Sequence, residues 1–301
     1  MTSTTQLDAS AAGTWSLGGR TVNRLGLGSM RLTGTAGFDL GERRDRHTSI
    51  AVLRRAVELG VNHIDTAAIY FSPWLSANQL IGAALSPYDE DLTIVSKVGP
   101  GRDPSGEWLP WPRPEQLRGQ VEQNLRELGR DHLDVVNYRH NGPSRPVAEH
   151  VGALADLVEH GLVRHVGVSN VTLDQLREAQ AVTEVVCVQN RYAVGYRAEG
   201  ARELVEECGR QGIAFVPFFA IAGEGREGGP ATAEATEHAV REIAQAHGAS
   251  PAQVRLAWSL AQGPHVLVIP GTGDPAHLED NVAAAELRLS PEEVARLDAL
   301  G

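Results

Sequence analysis

Cysteine is scarce in this chain: two in 301 residues, Cys187 inside an apolar run and Cys208 near the end of a helical stretch. That excludes a disulfide scaffold, and no Cys/His spacing suits zinc, so the residues point to a metal-free protein of the reducing cytoplasm. Long hydrophobic runs are missing as well. No stretch approaches the ~20 apolar residues of a membrane span, and the opening MTSTTQLDASAAG has neither the basic nor the apolar segment of a secretion signal. Positive charge is in deficit. The 27 Lys and Arg against 38 Asp and Glu give a net charge of −11 at pH 7, which repels a polyanion such as nucleic acid and leaves room only for a local basic pocket.

What is present is a globular composition, 42% hydrophobic and 22% charged, able to bury a large core without disulfides or metals. Residues 1–12 are small and polar and read as a flexible tail. Residues 13–301 read as a single domain with no linker or repeat. TWSLGGRTVN places Gly18-Gly19 between two short alternating runs, the signal of an N-terminal β-hairpin. Alternation follows. The run at NRLGLG, then VNHIDT, LTIVSK, LDVVNY, VRHVGVS, EVVCVQ, IAFVPF and HVLVIP are short and nearly continuously apolar, as strands buried on both faces of a parallel sheet are.

Amphipathic stretches separate them. Ile50, Leu53 and Val57 share one helical face, with Gly60 ending that helix. Leu117, Val121, Leu125 and Leu128 share another, behind Pro114. Thr172 with Gln175, Ser250 with Gln253, and Ser290 with Glu293 form capping boxes. Eight strands alternating with helices allow a closed (β/α)8 TIM barrel or a doubly wound open sheet, and the count and length favour the barrel. Three long connections follow strands, VGPGRDPSGEWLPWPRP, RYAVGYRAEG and FAIAGEGREGGPATAEA. Long loops belong to the C-terminal, functional face of a barrel.

Each strand exit carries a polar group: Asp65, Lys97, Arg139 with His140, Ser169 with Asn170, and Gln189. A barrel brings them to one rim. A buried carboxylate and ammonium on neighbouring strands are costly alone and tolerable as a pair. Tyr70 lies five residues beyond Asp65. A phenol is a poor acid at neutral pH, but an adjacent ammonium favours the phenolate and lowers its pKa. The set is then either a tuned proton donor or a structural ion pair with a packing tyrosine. Side chains alternate along a strand, so Arg139 and His140 cannot both face inward; register favours Arg139, and an early strand end would turn in His140 instead. Trp74, Trp108 and Trp111 lie on loops that either reach a flat substrate or pack the loops onto the barrel. His63, His150 and His160 receive surface or packing roles.

GVNHIDTAAIY, IVSKVG, GLVRHVGVSN, CVQNRY and IPGTGDPAHLEDN together resemble the signature blocks of the aldo-keto reductases, over about residues 14–300. That resemblance implies a (β/α)8 barrel that moves hydride between a nicotinamide dinucleotide and a small-molecule carbonyl without a metal. Asp65, Tyr70 and Lys97 match three of the family's four catalytic residues, with Tyr70 as the acid. The usual fourth, a histidine, falls on Arg139, with His140 one residue later. A guanidinium is always charged and can polarise a carbonyl or hold an anionic group, but cannot serve as the proton donor. VVNYR with VPFF resembles a bacterial branch that includes pyridoxal reductases, which suggests pyridoxal as one substrate.

The open-sheet dinucleotide fingerprint is lacking, since GLGSMR has Arg31 in place of its third glycine. By the resemblance, Ser169, Asn170 and Gln189 hold the nicotinamide carboxamide, Phe218 stacks on its ring, and Ile221 and Gly223 follow along the pyrophosphate. Gly28, Ser29 and Met30 are further contacts. At the adenosine end Asp274 and Pro275 start a helix whose free N–H groups suit a phosphate. Asn281 matches an adenine contact. Where relatives carry a lysine and an arginine for the 2′-phosphate, this chain has Gly271 and His277, with Thr272 between. NADP(H) is favoured by family habit, and NAD(H) stays open. Two other functions compete: a barrel lyase or aldolase using Lys97 as a Schiff-base amine, and a cofactor-binding protein with little catalysis.

Overall fold

The computed structural model describes residues 7–34, 42, 44–141, 146–221 and 234–300. The hairpin forms as β1 (Thr14–Leu17) and β2 (Arg20–Asn23), antiparallel, with Leu17 opposite Arg20 across the two glycines. Seven parallel strands follow in sequence order: β3 (Leu27–Gly28), β4 (His63–Asp65), β5 (Thr93–Val98), β6 (Leu133–Arg139), β7 (Val163–Ser169), β8 (Val185–Gln189) and β9 (Ala214–Phe215). HVLVIP, read as the eighth strand, is reduced to single parallel bridges. Val266 pairs with Phe215 on one side, and Val268 and Gly271 pair with Leu25 and Gly28 on the other, which closes the barrel. The approach at that seam is tight, because a Cβ on Gly28 would stand 2.7 Å from the Ile269 carbonyl oxygen. The glycine is needed there for strand packing.

Two cores result. Strand residues facing outward pack under the helices, whereas Val95, Val135, Cys187, Ala214 and Leu267 fill the barrel interior together with Leu17 and Val22 of the hairpin. The hairpin therefore plugs the N-terminal end, and the open end is the one where the strands finish. Both cysteines are buried and free. Burial pushes the Cys187 thiol up strongly and the Cys208 thiol to about 12, so both act as small apolar side chains.

The capping boxes at Thr172, Ser250 and Ser290 all form, as does the buried stripe of α3 (Leu117–Leu128). Two readings need correction. The buried face of α1 (Arg46–Glu58) is Ser49, Val52, Leu53 and Ala56, so Ile50 and Val57 lie at its margins. Residues 9–12, read as part of a loose tail, instead form a 3-10 turn capped by Asp8, with Ala9 fully buried and its N–H bonded to the Leu59 carbonyl. Small residues there allow close packing, which composition alone does not distinguish from disorder.

Candidate active site

The open end of the barrel holds a cavity whose wall includes Asp65, Tyr70, Lys97, Arg139, Ser169 and Gln189. Asp65, Arg139, Ser169 and Gln189 are the last residues of their strands, and Lys97 is the penultimate residue of β5. Strand alternation aims these side chains inward near the open end, at successive heights.

Lys97 is the only lysine in the chain; its other permanently basic side chains are arginines. Its position explains the exception. Nζ lies 2.6 and 2.7 Å from the two Asp65 carboxylate oxygens and 3.1 Å from the Thr66 carbonyl. Three donors on one compact charge meet three acceptors, which a planar guanidinium could not reproduce. Burial works against the ammonium, but the charges and hydrogen bonds of Asp65 and Tyr70 outweigh it and raise the Lys97 pKa. A protonated, paired lysine is a poor nucleophile, which favours the reductase reading over the Schiff-base one.

Nζ also stands 4.8 Å from the centroid of the Tyr70 ring. Tyr70 itself is nearly buried, its N–H bonded to the Ala67 carbonyl and its carbonyl accepting from Ala77. Behind the ion pair runs a polar chain: Thr66 donates to Asn78 (2.7 Å), and Asn78 and Ser96 both donate to the Asn124 side chain (2.8 and 2.6 Å). It fixes the Thr66 segment against two helices.

The sequence pattern of the Aldo/keto reductase family matches residues 24–301. The chain belongs to the aldo/keto reductase family. As a member it is an NAD(P)H-dependent carbonyl reductase. The chain is 43% identical to pyridoxine 4-dehydrogenase of Escherichia coli, covering 96% of this chain and 99% of that protein. Among solved structures it resembles a thermostable aldo-keto reductase in complex with the inhibitor epalrestat, at 33% identity and TM-score 0.79, covering 96% and 99% of the two chains. It also resembles an aldo-keto reductase from Klebsiella pneumoniae in complex with NADPH, at 28% identity and TM-score 0.75, covering 95% and 94%.

The cofactor wall of this aldo/keto reductase fits a nicotinamide. Gln189 commits its Nε2 to Asp65 (2.9 Å), while its Oε1 is buried without a hydrogen-bond partner, an acceptor suited to a carboxamide N–H. Ser169, Phe218, Ile221, Gly28, Met30 and Gly271 line the cavity. Asn170 does not. It is exposed with φ 59° and donates to the His140 carbonyl at 3.3 Å. Ser29 is buried just behind the wall, Asn281 is buried on α9 (Pro275–Ala283), and Gly223 lies outside the described residues.

Arg139 faces the cavity, whereas His140 is buried between the sheet and α5 (Leu173–Gln180), with Nε2 3.1 Å from Gln175 Nε2. Alternation separates them, and His140 is not among the residues that line the cavity. Nor are the tryptophans part of the cavity wall. Trp74 and Trp108 are about half exposed, and Trp111 packs on Tyr138, donating to its hydroxyl at 3.3 Å. His150 stacks on Tyr138 with ring centroids 4.8 Å apart, a packing role.

At the start of α9 the expected free N–H groups are taken. The Asp274 carboxylate accepts from Ala276 and His277, which hold its pKa below the usual range. His277 is exposed and Thr272 bonds within the turn. The positive charge comes from elsewhere: Arg44, ahead of α1, donates to the Gly273 carbonyl at 3.4 Å and adds its charge beside Asp274.

A second arginine was equally invisible to sequence patterns. Arg102, on the loop after β5, donates through Nη1 to the Ile69 and Phe71 carbonyls, both at 3.2 Å, so it grips the backbone on either side of Tyr70. Its guanidinium stands over the rings of Phe71 and Trp108, at 4.8 and 5.7 Å. Trp108 thus packs the loop. Replacing Arg102 with Gln should lower kcat by about tenfold through misplacement of Tyr70, with cofactor affinity unchanged in a fluorescence titration; an unaltered kcat would remove Arg102 from the positioning of the tyrosine.

Proposed function

We propose that this aldo/keto reductase reduces pyridoxal and related aromatic aldehydes to alcohols in the cytoplasm, with NADPH as the favoured reductant and Tyr70 as the proton donor. The observation that carries the reading is the buried set of Lys97, Asp65 and Tyr70 at the end of the cavity, joined by contacts of 2.6 and 2.7 Å and by an ammonium 4.8 Å from the phenol ring. The similarity to a pyridoxine 4-dehydrogenase supports the aldehyde.

Bound reduced nicotinamide would supply the hydride. The chain's own residues supply the proton and the alignment. As the carbonyl oxygen gains negative charge, the Tyr70 hydroxyl gives it a proton, and the Lys97 ammonium stabilises the phenolate left behind. Asp65 keeps that ammonium charged and aimed, and Gln189 and the Thr66 carbonyl keep Asp65 and Lys97 in place. Solvent reprotonates Tyr70 after the alcohol leaves. Ser169, Gln189 and Phe218 would hold the nicotinamide, and Arg44 would offset the Asp274 charge at the adenosine end.

The test is a side-by-side titration with NADPH and NADH followed by a carbonyl panel that includes pyridoxal. NADPH should bind more tightly, pyridoxal should be turned over to the alcohol, and Arg44→Gln should weaken NADPH more than NADH. Cofactor binding with no turnover across the panel would instead favour a binding protein.

A further inference from the structure

Among the described residues, four charged side chains line the cavity: Arg31, Asp65, Lys97 and Arg139. Three are positive and one negative, in a chain whose net charge is −11. The Lys97 charge is answered by Asp65. Arg139 is different. Among the described residues no carboxylate stands within ion-pair distance of it, and its guanidinium carbon lies 5.8 Å from the centroid of the Phe218 ring, over the same cavity. A half-buried guanidinium with no carboxylate partner among the described residues is a cost that a ligand oxyanion would relieve.

Its height in the barrel fixes where that oxyanion belongs. Lys97 is level with Asn137 across the β5–β6 pair. Arg139 is the next inward residue on β6, so its backbone lies roughly 6.6 Å nearer the rim. A substrate entering carbonyl first would bring its carbonyl oxygen down to Tyr70 and Lys97, with the group a few bonds away passing beside Arg139.

We propose that Arg139 is a specificity residue that selects carbonyl compounds bearing an anionic oxygen a few bonds from the carbonyl, a phenolate or a carboxylate. This rests on the reading of Tyr70 as the proton donor. A pyridoxal ionised at its ring hydroxyl, ortho to the aldehyde, has that pattern, and so does an aromatic aldehyde with a meta carboxylate. A single guanidinium–oxyanion contact of this kind changes kcat/KM by roughly 10- to 100-fold, and its contribution falls as salt rises because the cavity mouth is open to solvent.

The experiment compares matched pairs at saturating NADPH: 3-carboxybenzaldehyde against its primary amide, and pyridoxal against its 3-O-methyl ether. The wild-type protein is expected to favour the anionic member of each pair at least tenfold, the ratio shrinking between low and high ionic strength. In Arg139→Gln the loss should fall at least tenfold more heavily on the anionic member, mainly through KM, and Arg139→Lys should restore part of the preference. NADPH affinity and the thermal midpoint are measured for each variant, and the wild-type ratio with its salt dependence tests the inference even if a variant does not fold. A wild-type ratio near one would overturn it while leaving the reductase reading intact. Equal losses for anionic and neutral members in Arg139→Gln would also overturn it, placing Arg139 on the carbonyl itself. No NADPH oxidation with any aldehyde would overturn the reading of the site on which it rests.

Discussion

Replacing Tyr70 with Phe should lower kcat for aldehyde reduction by roughly 10²–10⁴-fold, the contribution expected of a positioned general acid, while NADPH binding and the thermal midpoint stay near wild type. The substitution removes one oxygen. The ring remains packed with Ala67, Ile69 and Ala77, its backbone bonds to Ala67 and Ala77 do not involve the side chain, and the Asp65–Lys97 pair keeps its contacts. A folded protein that binds cofactor and no longer turns over isolates the proton transfer from everything else. Steady-state rates beside a cofactor titration check it, and a Tyr70→Phe variant with wild-type kcat would assign the proton to another group.

Replacing Lys97 with Met should abolish turnover and also destabilise the fold. Removing the ammonium leaves the Asp65 carboxylate buried with Gln189 as its remaining side-chain donor, and breaking one side of a buried pair costs about 3–5 kcal/mol. At a few degrees per kcal/mol for a chain of this size, the midpoint should fall by roughly 10 °C. The double variant Lys97→Met, Asp65→Asn should recover much of the midpoint and none of the activity, because it removes both charges while keeping the volume. The pH dependence has a defined sign. The folded pKa of Lys97 lies above its ordinary value of about 10.4, so the ammonium's contribution to stability is fully present below that value and is lost only as pH rises through the higher folded pKa. Stability that fell between pH 7 and 9 in wild type, and not in the double variant, would contradict this pairing. Since Lys97 is the only lysine, an amine-reactive label meets one side chain and the N-terminus. The folded protein should be protected at Lys97.

The parts of the site that alternate were the parts the sequence could reveal. Asp65, Lys97, Arg139, Ser169 and Gln189 end apolar strands, so a period of two and a closed sheet were enough to bring them together, and the same period separated Arg139 from His140. Helix starts were legible wherever a side chain caps its own backbone, as at Thr172, Ser250 and Ser290. The eighth strand was legible as an apolar run but forms only single bridges, since its extent depends on close approach at Gly28 and Gly271. Irregular loops carry no period. For that reason Arg44 beside Gly273 and Arg102 beside Tyr70 could not be placed from the sequence, each acting across tens or hundreds of residues. The loop tryptophans failed in the same way: an aromatic on a long connection has no register to say whether it faces the cavity or the outside of the barrel.

The central claim is that this cavity passes hydride to an aldehyde carbon while Tyr70 protonates the oxygen. The most direct measurement uses NADPH deuterated stereospecifically at the nicotinamide C4 position, with pyridoxal as substrate and mass spectrometry of both alcohol and protein. The account predicts one deuterium on the new carbinol carbon for each NADPH consumed with one of the two labelled faces, none with the other, and no substrate adduct on Lys97 after borohydride treatment. Alcohol formed without deuterium, or a reduced adduct on Lys97, would contradict it.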